Sequence, residues 1–315
     1  MRYQFEFFVT GFLALVAVVL SATHDLPFIA PHADGAAFVG IHYLAPTVAA
    51  LAWALVMARR DPLASIMPIV VSIGSYGVVI WLHFNIKLWV PVIEPTTHDA
   101  LFRASGEAIR PVVDAAFAAR RVLAAVLPSI DDWYIHAYIA MFYFSFFVHA
   151  ARSERHFRTV FRAALVLQAL GAVAYLAMPA IGPFVYEAGM NALASNAQAA
   201  MMQLREQLVA APDADIARIA EGGLFAGLAA MPSLHAGGAF LFLMFAAKWE
   251  RWLLIGYIPV FVFILIEAVA SRWHYVIDLP VGIALAAAAI AFTAWCESRE
   301  TTASVAVEPE LEPAP

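Results

Sequence analysis

The residues best equipped for chemistry lie in two short stretches. Residues 231–235 read Met-Pro-Ser-Leu-His, and residues 271–278 read Ser-Arg-Trp-His-Tyr-Val-Ile-Asp. Each stretch contains a histidine and opens a long apolar run. Ionisable groups at the mouth of a membrane segment are costly to keep there, so these side chains are candidates for function.

The second stretch has the spacing of a nucleophile and the group that orients it. His274 and Asp278 are four residues apart, which in a helix places both side chains on one face. A carboxylate bonded to one ring nitrogen fixes the tautomer and leaves the other nitrogen as a nucleophile. Arg272 can hold an anionic oxygen, and His235 adds an acid. This set predicts phosphoryl transfer through a phosphohistidine.

The first stretch predicts an anion site at the start of a helix. Pro232 occupies a position typical of a first helical turn, with His235 in the same turn. The amide N–H groups there lack helical partners and carry the positive end of the helix dipole, which favours phosphate. Ser233 adds a hydroxyl donor.

A metal centre is an alternative use for the two histidines and Asp278, since all three are possible zinc ligands. Arg272 lies two positions from His274 and would repel a cation. We therefore expect neither a metal nor another cofactor.

Glu267 is the one carboxylate deep in an apolar run, where it needs a partner or a protonated state. One interpretation is an ion pair or hydrogen bond that holds two helices together. The other is that Glu267 faces the pocket and accepts hydrogen bonds from substrate hydroxyls.

The composition is that of a polytopic membrane protein. Of 315 residues, 63% are hydrophobic and 13% charged, whereas soluble chains are about half apolar and a quarter charged. The net charge of −6 gives no general attraction for nucleic acid. The single cysteine, Cys296, excludes an intrachain disulfide framework.

We predict an all-α protein with about eight membrane-spanning helices, each near the roughly 20 residues that a bilayer requires. Residues 1–62 hold two of them, residues 63–296 form the core with insertions 85–132 and 187–223, and residues 297–315 form a disordered cytoplasmic tail. Both insertions contain amphipathic pieces that either lie at the interface or cover the site. The predicted spans are Phe5–Ala22, Ala37–Ala58, Leu63–Phe84, Trp133–Ala150, Val160–Met178, Ser233–Ala247, Trp252–Ala270 and His274–Trp295.

Charge predicts the orientation of these spans. Basic residues at positions 59–60, 152–158 and 248–251 fall on one side if the helices alternate, and the positive-inside rule makes that side cytoplasmic. Both termini are then cytoplasmic, and both histidine stretches lie at the extracytoplasmic face.

The two motifs, Ala230–His235 and Arg272–Asp278, resemble those of the type 2 phosphatidic acid phosphatase superfamily. More narrowly, they resemble the branch with the inositol phosphorylceramide synthases. The resemblance implies a six-helix core with an outward-facing site, with His274 as nucleophile, Asp278 as its partner and His235 as general acid. We count Arg272, Ser233, Glu267 and Tyr275 as candidate substrate-binding residues.

One motif of the lipid phosphatases is missing. They carry Lys, six residues and Arg-Pro at the end of the third core helix, where residues 175–183 of this chain include no basic residue. That proline-bearing segment is similar to the synthase branch. The stretch from Lys87 to Pro95 mimics the spacing, but it lies two helices too early and has Glu94 in place of the arginine.

A site with one obvious cation, Arg272, suits a phosphodiester better than a phosphomonoester, which carries nearly two negative charges. We therefore predict a transferase that moves a phosphoinositol-like head group from a phospholipid to a lipid hydroxyl, such as that of a ceramide-like sphingolipid. Hydrolysis of a lipid phosphate or polyprenyl diphosphate is the same-fold alternative. A lipid transporter or binding protein without chemistry is the alternative from another class. The sequence leaves the oligomeric state open.

Overall fold

The computed structural model describes residues 3–30, 62–127, 129–212, 215–221, 223–226 and 228–305, and all regular structure within them is helical. This confirms the predicted all-α class. The helices are α1 Gln4–His24, α2 Pro62–Ile93, α3 Asp99–Ala108, α4 Arg110–Val126, α5 Ile130–Arg152, α6 Glu154–Ala177, α7 Ala192–Ala210, α8 Ile216–Ala220, α9 Leu234–Trp249, α10 Leu254–Ala270 and α11 Asp278–Val305.

Six of these helices are long and apolar enough to cross a membrane, namely α1, α2, α5, α6, α10 and α11. Helices suit this role because each satisfies its own backbone hydrogen bonds in lipid. The predicted span at Ser233–Ala247 corresponds to the shorter apolar helix α9. The predicted span Ala37–Ala58 lies outside the described residues.

Two predicted boundaries at the site were wrong. Helix α2 continues to Ile93, past the predicted end at Phe84, so Lys87 belongs to a membrane helix and not to an insertion. Helix α11 begins at Asp278, so His274 lies in the turn before the helix and not within it.

The predicted disordered tail also begins too early, because α11 continues past position 297 and packs on α6. Thr159 donates a hydrogen bond of 2.6 Å to Glu297, and Arg162 lies 3.0 Å from Glu300. Arg162 also lies 3.2 Å from the buried Glu6 of α1. One arginine thus ties the first and last described helices to α6.

Helix α6 forms the centre of the bundle. It packs against α1, α2, α5, α9 and α11, while α10 packs against α5 and α9. Aromatic rings fill the contact between α5 and α9, where Phe142 and Phe146 both meet Phe242 at centroid distances of 5.7 Å.

A close backbone contact between α9 and α11 positions the two sequence motifs. A Cβ atom on Gly282 would lie 2.0 Å from the Ser233 carbonyl oxygen, and one on Gly237 would lie 2.5 Å from the Gly282 oxygen. The Ser233 amide donates a 3.1 Å hydrogen bond to the Asp278 carbonyl. Only glycine permits this approach, which brings the start of α9 against the start of α11.

We expect Gly282→Ala to destabilise the protein by about 1–3 kcal/mol, because the added methyl group overlaps backbone atoms that cannot move away. Thermal unfolding in detergent measures the effect. Gly77→Ala in α2 is the control, since among the described residues no atom outside the adjoining turns of its own helix lies within 4 Å of its added Cβ. Equal melting temperatures for the two variants would contradict the role assigned to the contact.

Candidate active site

Both sequence motifs meet at one end of the helix bundle. His235 lies in the first turn of α9, Asp278 is the first residue of α11, and His274 lies in the turn between α10 and α11. His274 and His235 are close enough to interact electrostatically. The structure therefore brings together the three residues that the sequence predicts to be catalytic.

His274 and Asp278 face each other across a tight turn. The His274 Nδ1 atom lies 3.4 Å from Asp278 Oδ2, a contact that becomes an ion pair when the ring is protonated but that lacks the geometry of a hydrogen bond. The same oxygen accepts a 2.8 Å hydrogen bond from the Tyr275 amide. The predicted contact between His274 and Asp278 is present. It arises from the turn before α11, because the two residues do not lie on one helical face as predicted. With Nδ1 directed at the carboxylate, Nε2 is the ring nitrogen left for the predicted nucleophilic attack.

His235 lies against two aromatic side chains of α5. Its ring centroid is 4.7 Å from that of Tyr138, edge to face, and 5.1 Å from that of Tyr134. Ser233 caps the helix that carries His235. The Ser233 hydroxyl oxygen accepts a 3.5 Å hydrogen bond from the Ala236 amide. Pro232 precedes this cap and is not in the first turn as predicted. The buried Ser233 thus caps the helix, and substrate binding by its hydroxyl stays a prediction.

Lys87 is a site residue that sequence reasoning set aside. Its ammonium lies 4.7 Å from the centroid of the Tyr175 ring, and it interacts electrostatically with His83 and His235. The extension of α2 to Ile93 brings it there. The apolar run Ile86, Leu88, Trp89 and Val90 around this lysine was the signal that the span continues.

Arg272, the predicted anion clamp, is bound to a carboxylate. Its Nη2 atom lies 3.0 Å from Glu187, which also accepts hydrogen bonds of 2.8 and 3.1 Å from Arg110. The hydrogen bonds from Arg110 hold the pKa of Glu187 below its usual value. Arg272 itself has a φ of 60°, a strained conformation that often occurs at functional turns.

Glu267 forms an ion pair between two helices, as the structural interpretation of this residue predicts. It is fully buried, and its two oxygens accept hydrogen bonds of 2.6 Å from Arg120 and 2.7 Å from Asn191. Asp131 also binds Arg120, and Asn191 caps α7. Arg120 is itself only 2% exposed. Because both oxygens of Glu267 are occupied, the structure favours a structural role over substrate recognition.

Tyr275 binds a buried aspartate that the sequence did not single out. Its hydroxyl donates a 2.8 Å hydrogen bond to Asp99. The Asp99 carboxylate also accepts hydrogen bonds of 2.9 Å from the amides of Ile181 and Gly182. Burial raises the pKa of Tyr275 above its usual value, so the hydroxyl keeps its proton and remains a donor. This contact fixes the turn that carries His274. The hydroxyl of Tyr275 therefore has a protein partner in place of a substrate.

The second insertion covers the same turn. The Met190 amide donates a 2.9 Å hydrogen bond to the Ala270 carbonyl, and the Gln198 side chain donates one of 2.9 Å to Ser271. From the first insertion, Phe117 lies 6.0 Å from the Arg272 guanidinium. Of the two interpretations of the insertions, the structure favours a cover over a surface-lying spacer.

The fold and the site define a helical membrane protein with two histidines and a carboxylate at one end of its bundle. A family model of the PAP2 superfamily matches residues 100–292, and the chain belongs to this superfamily. Its members are phosphatases or phosphotransferases, which makes this chain a lipid enzyme of that type. Neither the curated proteins nor the solved structures give a match to the chain.

We expect Glu267→Gln to lower the melting temperature, because removing one charge of a buried ion pair costs up to about 3–5 kcal/mol. Transfer and hydrolysis should then fall together, in proportion to the folded fraction. The control is Asp114→Asn, which removes the charge of an exposed carboxylate that pairs with Arg110. A well-folded Glu267→Gln protein that loses transfer but keeps hydrolysis would restore the substrate-binding interpretation.

Proposed function

We propose that this chain is a membrane lipid phosphotransferase that uses His274 as its nucleophile. It moves a phosphoinositol-like head group from a phospholipid to a lipid hydroxyl. The observation that carries the proposal is the His274–Asp278 contact of 3.4 Å beside His235. A histidine oriented by a buried carboxylate, next to a second histidine, provides a nucleophile and a separate acid.

The reaction proceeds in two steps that balance. In the first step, His274 Nε2 attacks phosphorus, the bond from phosphorus to the diacylglycerol oxygen breaks, and His235 donates a proton to that oxygen. Asp278 stabilises the positive charge on the His274 ring. In the second step, His235 takes the proton of the acceptor hydroxyl, whose oxygen attacks phosphorus and releases His274.

The burial of the reactive pair supports a lipid acceptor over water. His274 is 8% exposed and Asp278 is fully buried, with the second insertion packed on their turn. A transferase must limit the access of water, because water competes for the phosphoenzyme. The charge of Arg272 is offset by Glu187, which also supports a diester with one negative charge.

Hydrolysis of a lipid monophosphate or polyprenyl diphosphate is the second candidate. Lys87 favours it, since this lysine adds a cation near His235 beyond Arg272. A transporter or binding protein is a weaker candidate, because transport does not require the His274–Asp278 pair.

We infer that the site faces away from the cytoplasm. The helix ends opposite to the site carry basic residues, including Arg152 at the end of α5, Arg155 near the start of α6 and Lys248 near the end of α9. The positive-inside rule assigns such ends to the cytoplasm.

Purified protein incubated with phosphatidylinositol labelled in the inositol ring, with and without ceramide, tests the function. A transferase produces labelled inositol phosphorylceramide and diacylglycerol when ceramide is present. Soluble inositol phosphate without an acceptor, or phosphate released from phosphatidic acid, supports the hydrolase. A folded protein that binds these lipids without turnover supports the third candidate.

We expect His274→Ala to abolish turnover, because it removes the proposed nucleophile. In the parent protein, the labelled donor should give a short-lived, acid-labile phosphoenzyme, trapped by rapid quenching in base. His24→Ala, at an exposed position at the end of α1, is the control. Substantial turnover by a folded His274→Ala protein would contradict the mechanism.

We expect His235→Ala to slow the reaction about 10²–10⁴-fold, the usual contribution of a general acid or base. The penalty should shrink for a donor with a p-nitrophenyl leaving group, which departs without a proton. Rapid-quench measurement of the first step with both donors checks this. An equal penalty for both donors would assign His235 to binding.

A further inference from the structure

Lys87 is a cation near His235 for which the described residues provide no anionic partner. Within the described ranges between residues 3 and 305, no aspartate or glutamate lies within salt-bridge distance of its ammonium. Its ammonium lies 4.7 Å from the centroid of the Tyr175 ring. Arg272, in contrast, is paired with Glu187 at 3.0 Å.

The groups around Lys87 come from the helices that build the site. His83 lies one turn earlier on α2, and His235 comes from α9. Tyr175 comes from α6 and interacts electrostatically with Asp278. Lys87 therefore lies on the membrane-helix side of the site, whereas the partners of Arg272 lie on the insertions.

An unpaired ammonium near the end of a membrane helix is costly. A cation–π contact with an aromatic ring stabilises the ammonium by only about 0.5–2 kcal/mol. Repulsion adds to this cost whenever His235 carries the proton that a general acid must hold. An anion between Lys87 and His235 removes both costs at once, and the substrate phosphate is the anion that the proposed reaction brings there.

We propose that Lys87 is the principal phosphate-binding cation of this site, contacting a nonbridging oxygen of the phosphate that His274 attacks. The proposal rests on the proposed function for the position of the phosphate. It assigns to α2 a role that lies outside the matched range of the family, residues 100–292. The ligand class is a phosphate ester anion, and Arg272 plays the secondary part.

A structural role for Lys87 is the competing explanation, in which its stem lies along apolar surface and its charge rests on Tyr175. Anion binding distinguishes the two explanations, because a purely structural lysine has no effect on it once the protein is folded. Orthovanadate, which mimics the phosphoryl group during transfer, is a probe that requires no knowledge of the natural lipid.

The experiment measures the increase in melting temperature of the full chain in detergent as orthovanadate is added. We expect Lys87→Met to bind orthovanadate about 10–100-fold more weakly than the parent, as for loss of a hydrogen bond to a charged group. Lys87→Arg should retain most of the binding. Lys248→Met is the matched control, since Lys248 lies over Trp249 at 4.6 Å near the other end of α9.

Parent-like orthovanadate binding by a folded Lys87→Met protein would overturn the proposal, as would a parent protein that orthovanadate does not stabilise. A lower melting temperature of Lys87→Met with an unchanged orthovanadate dissociation constant would establish the structural role instead. The lipid assay is read separately. If the parent does not process phosphatidylinositol but binds orthovanadate through Lys87, the proposed transfer fails and the assignment of Lys87 stands.

Discussion

The backbone contact between α9 and α11 is the constraint on which the site depends. His235 and Asp278 are far apart in sequence, and neither helix alone brings them together. The Ser233–Asp278 hydrogen bond of 3.1 Å and the glycines at 237 and 282 place the starts of both helices side by side. This contact sets the separation of His235 and Asp278, because it joins the first turns of the two helices that carry them.

The turn between α10 and α11 requires support of a different kind. It has no regular structure, so polar contacts from distant segments hold it. Asp99 binds Tyr275, Gln198 binds Ser271, and Glu267 joins the end of α10 to Arg120 and Asn191. Most of these groups are charged or amide side chains that belong to no motif recognised in the sequence. Together they explain why two insertions outside the membrane helices belong to the site.

The helices and the candidate site residues could be predicted from the sequence because both have local signals. Apolar length reveals a membrane helix, and a histidine or carboxylate beside such a helix is unusual enough to mark a site. Partners such as Asp99 for Tyr275, Arg120 for Glu267 and Glu187 for Arg272 could not be predicted, since nothing local relates residues so distant in the chain. Lys87 was set aside for another reason, namely that it lies two helices too early for the phosphatase motif and Glu94 stands in place of the arginine. The predicted end of its helix at Phe84 also placed it outside the membrane helices.

The ion pairs of Arg162 have a consequence at the other end of the bundle. They fix α11 along its own axis through Glu297 and Glu300, and the same rigid helix begins with Asp278. A helix rises 1.5 Å per residue, so these contacts lie about 30 Å from the carboxylate whose height they help to set. Contacts near both ends of α11 therefore fix the position of Asp278 relative to His235. A change at Arg162 would shift the carboxylate along the helix axis without touching the site.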